Sequence, residues 1–152
     1  MRIWRICPAR HEVTAFDGEG ARLHGGRWNH VGSSAVYASA TISLGVLEYL
    51  VHADPDLAPE ALVAIPVDYT DAMLLDEIKL STLPAGWRNY PAPDAVKDIG
   101  SDWLRTASNP ILSVPSVVVP QERNFVLNPH HARFHELKVG KSEPFSLDPR
   151  LW

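Results

Sequence analysis

The sequence has 152 residues, of which 45% are hydrophobic, and this length and apolar content predict one globular domain over residues 1–152. Its formal net charge of −4 argues against a nucleic-acid partner bound through backbone electrostatics, and the single Cys7 excludes a disulfide framework or a multi-cysteine metal site. No apolar run resembles a signal peptide or reaches membrane-spanning length, so we expect a cytoplasmic protein without membrane contact.

The first half of the chain predicts short strands, a glycine turn and one long helix. In order, the expected elements are a strand at 2–7 ended by Pro8, a loop with one helical turn at 9–21, the Gly25-Gly26 pair, a turn at 31–34, a strand at 35–38, and a helix from Ser39 or Thr41 to about His52. Either hydroxyl can cap the first turn of that helix, and Asp54-Pro55 lies beyond its end.

The second half predicts further strands separated by one helix. The expected elements are a turn at 54–59, a strand at 61–67 with Pro66 at an edge or end, a helix or strand at 73–80, a loop at 83–93, a helix at 95–107, strands at 111–119 and 124–127, and a tail anchored by Phe134, Leu137, Val139 and Phe145. This order predicts an α+β domain with several short mixed strands and few helices.

Glu48 is the most unusual side chain of the predicted helix. At the helical period, apolar residues cover most of the circumference, and a narrow polar stripe contains Glu48 and Gly45, whose missing side chain leaves room beside the carboxylate. One interpretation is a solvated or paired structural carboxylate. The other is a catalytic carboxylate that stabilises a developing oxocarbenium ion and orients a ribose hydroxyl.

Three other side chains also have a structural and a functional interpretation. Arg27 is either a surface arginine after a turn or a phosphate clamp, and the preceding glycines favour the clamp. Tyr37 is either a core residue or, if its strand ends at a cleft, a ring that stacks on a heterocycle. Ser116 is read as structural, because no nucleophile-elbow motif surrounds it.

A metal site is not expected. Three histidines lie close together near the end of the chain, His130, His131 and His135. Their spacing does not form a zinc-binding helix motif, and a segment that opens with Asn-Pro is not clearly helical. We therefore interpret this cluster as a polar surface near the cleft.

Four motifs together resemble the RES-domain family: GGRWN at 25–29, VYAS at 36–39, LEYLVH at 47–52 and VPSVVVPQERNFVLNP at 114–129. That family is named for an arginine, a glutamate and a serine. The matching positions are Arg27, Glu48 and Ser116, with Tyr37 at a further active-site position. The resemblance extends from the first strand to about residue 135, nearly the whole chain.

The resemblance implies the toxin of a bacterial type II toxin–antitoxin pair, neutralised by an antitoxin with an Xre-like helix-turn-helix. It also implies a fold similar to that of ADP-ribosyltransferase toxins, and an activity that consumes NAD⁺ by hydrolysis, by phosphorolysis or by transfer of ADP-ribose to a protein acceptor. Two features depart from the transferase toxins: the key glutamate falls in a helix, and an arginine stands where many of them have a histidine.

The resulting hypothesis is cleavage of the nicotinamide–ribose bond of NAD⁺, which is the substrate, with no metal. Glu48 stabilises the cationic ribose, Arg27 holds the pyrophosphate, Tyr37 stacks near nicotinamide, and Ser116 bonds a ribose or the carboxamide. The second-tier candidates for the cleft wall are His24, Trp28 and Asn124.

Two alternatives stay open for the activity: a mono-ADP-ribosyltransferase with a protein target, and a non-catalytic nucleotide-binding module. The sequence does not identify the acceptor of ADP-ribose. The tail ending at Leu151-Trp152 is expected to pack on the core, and its alternatives are a homodimer surface and an antitoxin surface.

Overall fold

Eight strands form one mixed sheet in the computed structural model, which describes residues 1–54, 61–73 and 75–151. The strands are β1 (Arg2–Pro8), β2 (Val36–Ser39), β3 (Leu62–Asp68), β4 (Asp76–Glu77), β5 (Ile111–Pro115), β6 (Arg123–Leu127), β7 (Lys138–Val139) and β8 (Glu143–Phe145). Their order is β4-β5-β6-β2-β1-β3-β7, with β8 also paired to β3. The described pairs are antiparallel except β4 with β5, so the predicted α+β class is confirmed.

Three α-helices accompany the sheet in the described ranges: α1 (Glu19–His24), α2 (Ile42–Leu50) and α3 (Asp94–Thr106). Thr41 caps α2, because its side chain accepts a hydrogen bond from the Leu44 N–H at 3.1 Å. Both predicted long helices are thus confirmed, although α2 ends two residues before His52. Leu47 and Val51 are exposed, so α2 is less buried than its apolar pattern predicts.

The two faces of the sheet carry separate apolar clusters. On one face, Ile111 and Leu127 belong to the largest buried cluster. On the other face, Leu112 and Val126 pack against α3 through a cluster that also contains Val96. This alternation follows from the strand period of two, which sends neighbouring residues to opposite sides.

The α3 face of the sheet also carries a row of three paired residues, two of which have polar side chains. The register pairs Trp4 of β1 with Ser39 of β2, and Ser39 with Asn124 of β6. Helix α2 lies over this row, since a Cβ on Gly45 would come within 2.8 Å of the Ile6 side chain. The space left by the missing Gly45 side chain is therefore occupied by Ile6 of β1.

Three other predicted boundaries differ from the structure. Residues 19–24 form a helix, where a loop with one helical turn was expected. Strand β5 ends at Pro115 instead of residue 119, because the Ser116 hydroxyl accepts hydrogen bonds from the N–H groups of Val118 and Val119 and turns the chain. Pro66 lies inside β3, between the segment that pairs with β8 and the segment that pairs with β7. The proline therefore separates the two outer pairings of β3 but does not end the strand.

Some predictions concern the segments outside the described residues. These are most of the turn at 54–59, Leu74 within 73–80, and Trp152. Of the tail anchors, Leu137 is buried, Val139 is exposed, and Leu151 at the end of the described chain is also exposed. The described helices include none with the length and apolar character needed to cross a membrane.

Candidate active site

The Glu48 carboxylate is held by two side chains from the sheet. Helix α2 projects Glu48, partly buried, toward the ends of β5 and β6. Its Oε1 accepts a hydrogen bond from Ser116 Oγ at 2.7 Å and another from Asn124 Nδ2 at 2.6 Å. Within the described chain Oε2 accepts no hydrogen bond, so one oxygen is fixed and the other remains open to a ligand. The interpretation of Glu48 as a freely solvated carboxylate is therefore excluded.

Ser116 is fully buried and uses all its hydrogen-bonding capacity. Its hydroxyl donates to Glu48, and its oxygen accepts from Val118 N at 3.1 Å and from Val119 N at 2.9 Å. In this arrangement Ser116 reaches the chemistry through Glu48. Ser116 has no free O–H for the expected direct hydrogen bond to a ribose or carboxamide, because its hydroxyl already donates to Glu48.

Arg27 connects the glycine turn to the loop that precedes α3. Its Nη1 donates to the Trp87 carbonyl at 2.6 Å, and its Nη2 donates to the Asn89 carbonyl at 3.2 Å. A guanidinium has five N–H donors, so others remain for a ligand. Burial lowers the pKa of Arg27, and the nearby negative charge of Glu48 opposes part of that shift. Arg27 and Glu48 therefore lie within electrostatic reach of each other.

Tyr37 organises the turn that carries Arg27. Its hydroxyl donates to Asn29 Oδ1 at 2.6 Å and accepts from the Trp28 N–H at 3.1 Å. A Cβ on Gly26 would lie only 2.6 Å from this hydroxyl. The second glycine of the pair thus makes room for Tyr37, and burial raises the pKa of the phenol.

Arg27, Tyr37 and Glu48 line a cleft of 1470 Å³ on the α3 face of the sheet, whereas Ser116 does not reach it. Its lining includes Glu48, Arg27, Tyr37, His24 and Asn124, so the structure brings together most of the predicted residues. The volume is larger than that of a typical small-molecule pocket, about 300–1,000 Å³, and suits an extended ligand such as a dinucleotide. Trp28 also borders the cleft, but only 3% of its surface is exposed and its ring belongs to the core.

Arg5 of β1 also lines this cleft and was missed by the sequence analysis. Its Nη1 donates to the Tyr37 carbonyl at 2.8 Å, while its buried Nε has no hydrogen-bond partner among the described residues. Burial lowers the pKa of its guanidinium. In a strand with alternating polar and apolar residues, a charged residue is expected to face solvent. Only the tertiary structure shows that the Arg5 side chain is enclosed by the protein.

The family follows from comparison with known proteins. The family model for the RES domain matches residues 2–148. The chain belongs to the RES-domain family. The resemblance inferred from the four motifs is confirmed.

Full-length relatives of this RES-domain chain carry toxin names. It is 39% identical to the Toxin Res of Yersinia enterocolitica, with 99% of each chain covered. It is 36% identical to the Prs ADP-ribosylating toxin of a Sphingobium species, covering 97% of this chain and 94% of the relative. Its fold matches a chain in the crystal structure of the MbcT-MbcA toxin-antitoxin complex of Mycobacterium tuberculosis, with a TM-score of 0.75 at 18% identity over 95% of this chain and 84% of that chain.

Two of the three clustered histidines of the RES-domain chain line a cavity other than the cleft. His130 and His131 line a smaller cavity of 520 Å³ with Ser101 and Arg105, none of which borders the larger cleft. The two cavities are neighbours, because the His30 N–H, on the larger cleft, donates to the Ser101 hydroxyl, on the smaller cavity, at 3.0 Å. Among the described residues no group of three histidine, cysteine or acidic side chains is placed to hold a metal ion.

Proposed function

We propose that this RES-domain chain is the toxin of a toxin–antitoxin pair and that it cleaves the nicotinamide–ribose bond of NAD⁺. The main observation behind the proposal is the state of the Glu48 carboxylate: Oε1 accepts hydrogen bonds from two donors, and Oε2 is open in the cleft. A carboxylate with a free oxygen beside an arginine suits a substrate with a cationic reacting end and an anionic middle.

The chemistry needs little more than that carboxylate. Nicotinamide leaves as a neutral molecule, so no general acid has to protonate it. The electron pair of the bond departs with nicotinamide, and the ribose becomes oxocarbenium-like. A fixed negative charge near that centre lowers the barrier, and water or another nucleophile then adds at the same carbon and releases a proton.

The other cleft residues have binding roles in this proposal. The remaining Arg27 donors bind the pyrophosphate. Tyr37 lines the cleft and its hydroxyl is occupied by Asn29, so its role here is to stack on nicotinamide through the ring. His24, at the exposed end of α1, borders the entrance.

A second candidate is transfer of ADP-ribose to a protein. The relative from Sphingobium, 36% identical, is named an ADP-ribosylating toxin, and this similarity favours the transferase as the alternative. Both reactions use the same carboxylate and differ only in the nucleophile. The fold match to a chain from a toxin–antitoxin complex also supports an antitoxin partner, for which the family resemblance suggests an Xre-like helix-turn-helix protein.

The test combines product analysis with one substitution. The purified protein is incubated with NAD⁺ alone, with phosphate, and with a cell lysate, and the products are identified by mass spectrometry. We expect free nicotinamide together with ADP-ribose or its phosphorylated form. Label from NAD⁺ on a discrete lysate protein would instead indicate the transferase.

Glu48→Gln is the informative variant, because the amide oxygen can still accept from Ser116 and Asn124 while the charge is lost. We expect NAD⁺ binding to persist and turnover to fall by about 10²–10³, the usual cost of removing one electrostatic stabiliser. Glu143→Gln, on the exposed edge strand β8, is the matched control and should turn over normally. Wild-type turnover in Glu48→Gln would refute the assignment.

A further inference from the structure

The Asn124 side chain accepts one hydrogen bond from Ser39 and donates another to Glu48. Ser39 and Asn124 are direct partners in the β2–β6 register, and Ser39 Oγ donates to Asn124 Oδ1 at 2.7 Å. Asn124 Nδ2 then donates to Glu48 Oε1 at 2.6 Å. Both donors and both acceptors are side chains, so the backbone does not contribute to this connection.

The chain of bonds fixes which way each group points. With its oxygen bonded to Ser39, the Asn124 amide presents its nitrogen to Glu48, and the opposite orientation would place two oxygens against each other. Ser39 is 4% exposed, so water does not readily replace it. The terminal torsion of a glutamate is otherwise soft, with a broad, two-fold preference.

Ser116 supplies a second donor to the same oxygen from the end of β5. One donor comes from β6 and the other from the residue that follows β5, so together they prevent the carboxylate from rotating, and Oε2 is thereby held toward the cleft. A catalytic group must be held close to its productive geometry, since small misplacements reduce the rate sharply. One donor would leave the rotation free about the remaining bond.

We propose that Asn124, oriented by Ser39, is a positioning residue that aims Glu48 Oε2 at the substrate and does not itself bind NAD⁺. This rests on the proposed function of Glu48. It differs from the expectation that Asn124 forms part of the NAD⁺-binding wall, because its amide oxygen and one of its two N–H groups are already engaged. The amide therefore acts through Glu48.

The first test separates kcat from KM. Asn124→Ala should lower kcat by roughly 10- to 100-fold, the equivalent of one charge-assisted hydrogen bond, and leave the KM for NAD⁺ within about twofold. Ser39→Ala should lower kcat by roughly 3- to 10-fold, because it removes a neutral hydrogen bond one step further away. A residue that contacts NAD⁺ directly would raise KM.

The second test is a double-mutant cycle with Glu48→Gln. If Asn124 acts only through the carboxylate, Asn124→Ala should change the residual rate of Glu48→Gln by less than about twofold. The proposal would be overturned if Asn124→Ala lowered kcat by the same factor in the wild type and in Glu48→Gln. It would also be overturned if Asn124→Ala had the wild-type kcat while Glu48→Gln was inactive. Full activity of Glu48→Gln would instead overturn the proposed function.

Asn128 provides a control for general damage to β6. It is a buried asparagine just beyond the strand, and its amide donates to the Leu104 carbonyl at 2.8 Å, away from Glu48. Asn128→Ala should lower Tm and leave kcat of the folded protein unchanged. If Asn124→Ala does not fold, Ser39→Ala, which removes one hydroxyl only, decides the question through the same cycle.

Discussion

Replacement of Gly26 by alanine perturbs the packing that supports the cleft. The added Cβ would lie 2.6 Å from Tyr37 Oη and 2.8 Å from Asn29 Oδ1. Both separations are well below the ordinary contact distance of non-bonded atoms, about 3.5 Å. These two oxygens are joined by their own 2.6 Å hydrogen bond, so a shift of either one weakens that bond.

We expect Gly26→Ala to lower the free energy of unfolding by about 2–4 kcal/mol. Overpacking a well-filled site costs roughly 1–3 kcal/mol, and loss of one buried hydrogen bond adds about 1 kcal/mol. For a domain of this size each kcal/mol lowers Tm by about 2–4 °C, so Tm should fall by about 5–15 °C. Because Arg27 is the next residue, the KM for NAD⁺ should rise as well.

Urea unfolding at 25 °C, followed by tryptophan fluorescence, measures this difference. Gly20→Ala is the matched control, because a Cβ at Gly20 would have no heavy atom of the described chain within 4 Å. Gly20 lies in α1, where alanine is favoured over glycine by about 0.5–1 kcal/mol, so the control should be neutral or slightly stabilised. Equal stability of Gly26→Ala and the wild type would refute this account of the turn.

Three further substitutions or conditions follow from individual contacts. Gly100→Ala would place a methyl group onto the Trp28 carbonyl oxygen, so we expect a loss of more than about 3 kcal/mol, or no folded protein on expression. Thr41→Ala removes the cap of α2 and should cost about 1 kcal/mol in urea unfolding, with Thr41→Ser retaining most of the stability. Burial raises the pKa of Tyr37, so the folded state disfavours its phenolate, and stability should be intact below the ordinary tyrosine pKa of about 10 and decrease above it. Unfolding midpoints measured between pH 8 and pH 11 should show less of that decrease in Tyr37→Phe.

The sequence predicts local structure well where one side-chain period dominates. Helix α3 and the strands around Ile3 and Val126 were predicted because their apolar spacing matches the helical or strand period. The end of β5 was not, because the Ser116 side chain competes for backbone N–H groups that a strand would use. Strand propensity does not account for a side chain that accepts hydrogen bonds from these backbone N–H groups.

The site itself depends on contacts that no local pattern contains. Ser39 and Asn124 are 85 residues apart, and Arg27 reaches a carbonyl 60 residues away. The sequence pattern marks Glu48 as unusual but favours a structural role for Ser116, and only the resemblance to the RES-domain family assigns Ser116 to the site. The structure then gave the reason for both interpretations: Ser116 supports the backbone turn and contacts the carboxylate.

This double use of Ser116 affects how inactive alleles should be interpreted. Selection for cells that survive expression of the protein would recover Ser116 substitutions readily, since one change removes both the turn after β5 and a support of Glu48. Such an allele does not tell whether chemistry or local folding was lost. Within the described chain the Asn124 side chain bonds only to the side chains of Ser39 and Glu48, so substitutions at that position leave the turn after β5 in place and separate the two effects.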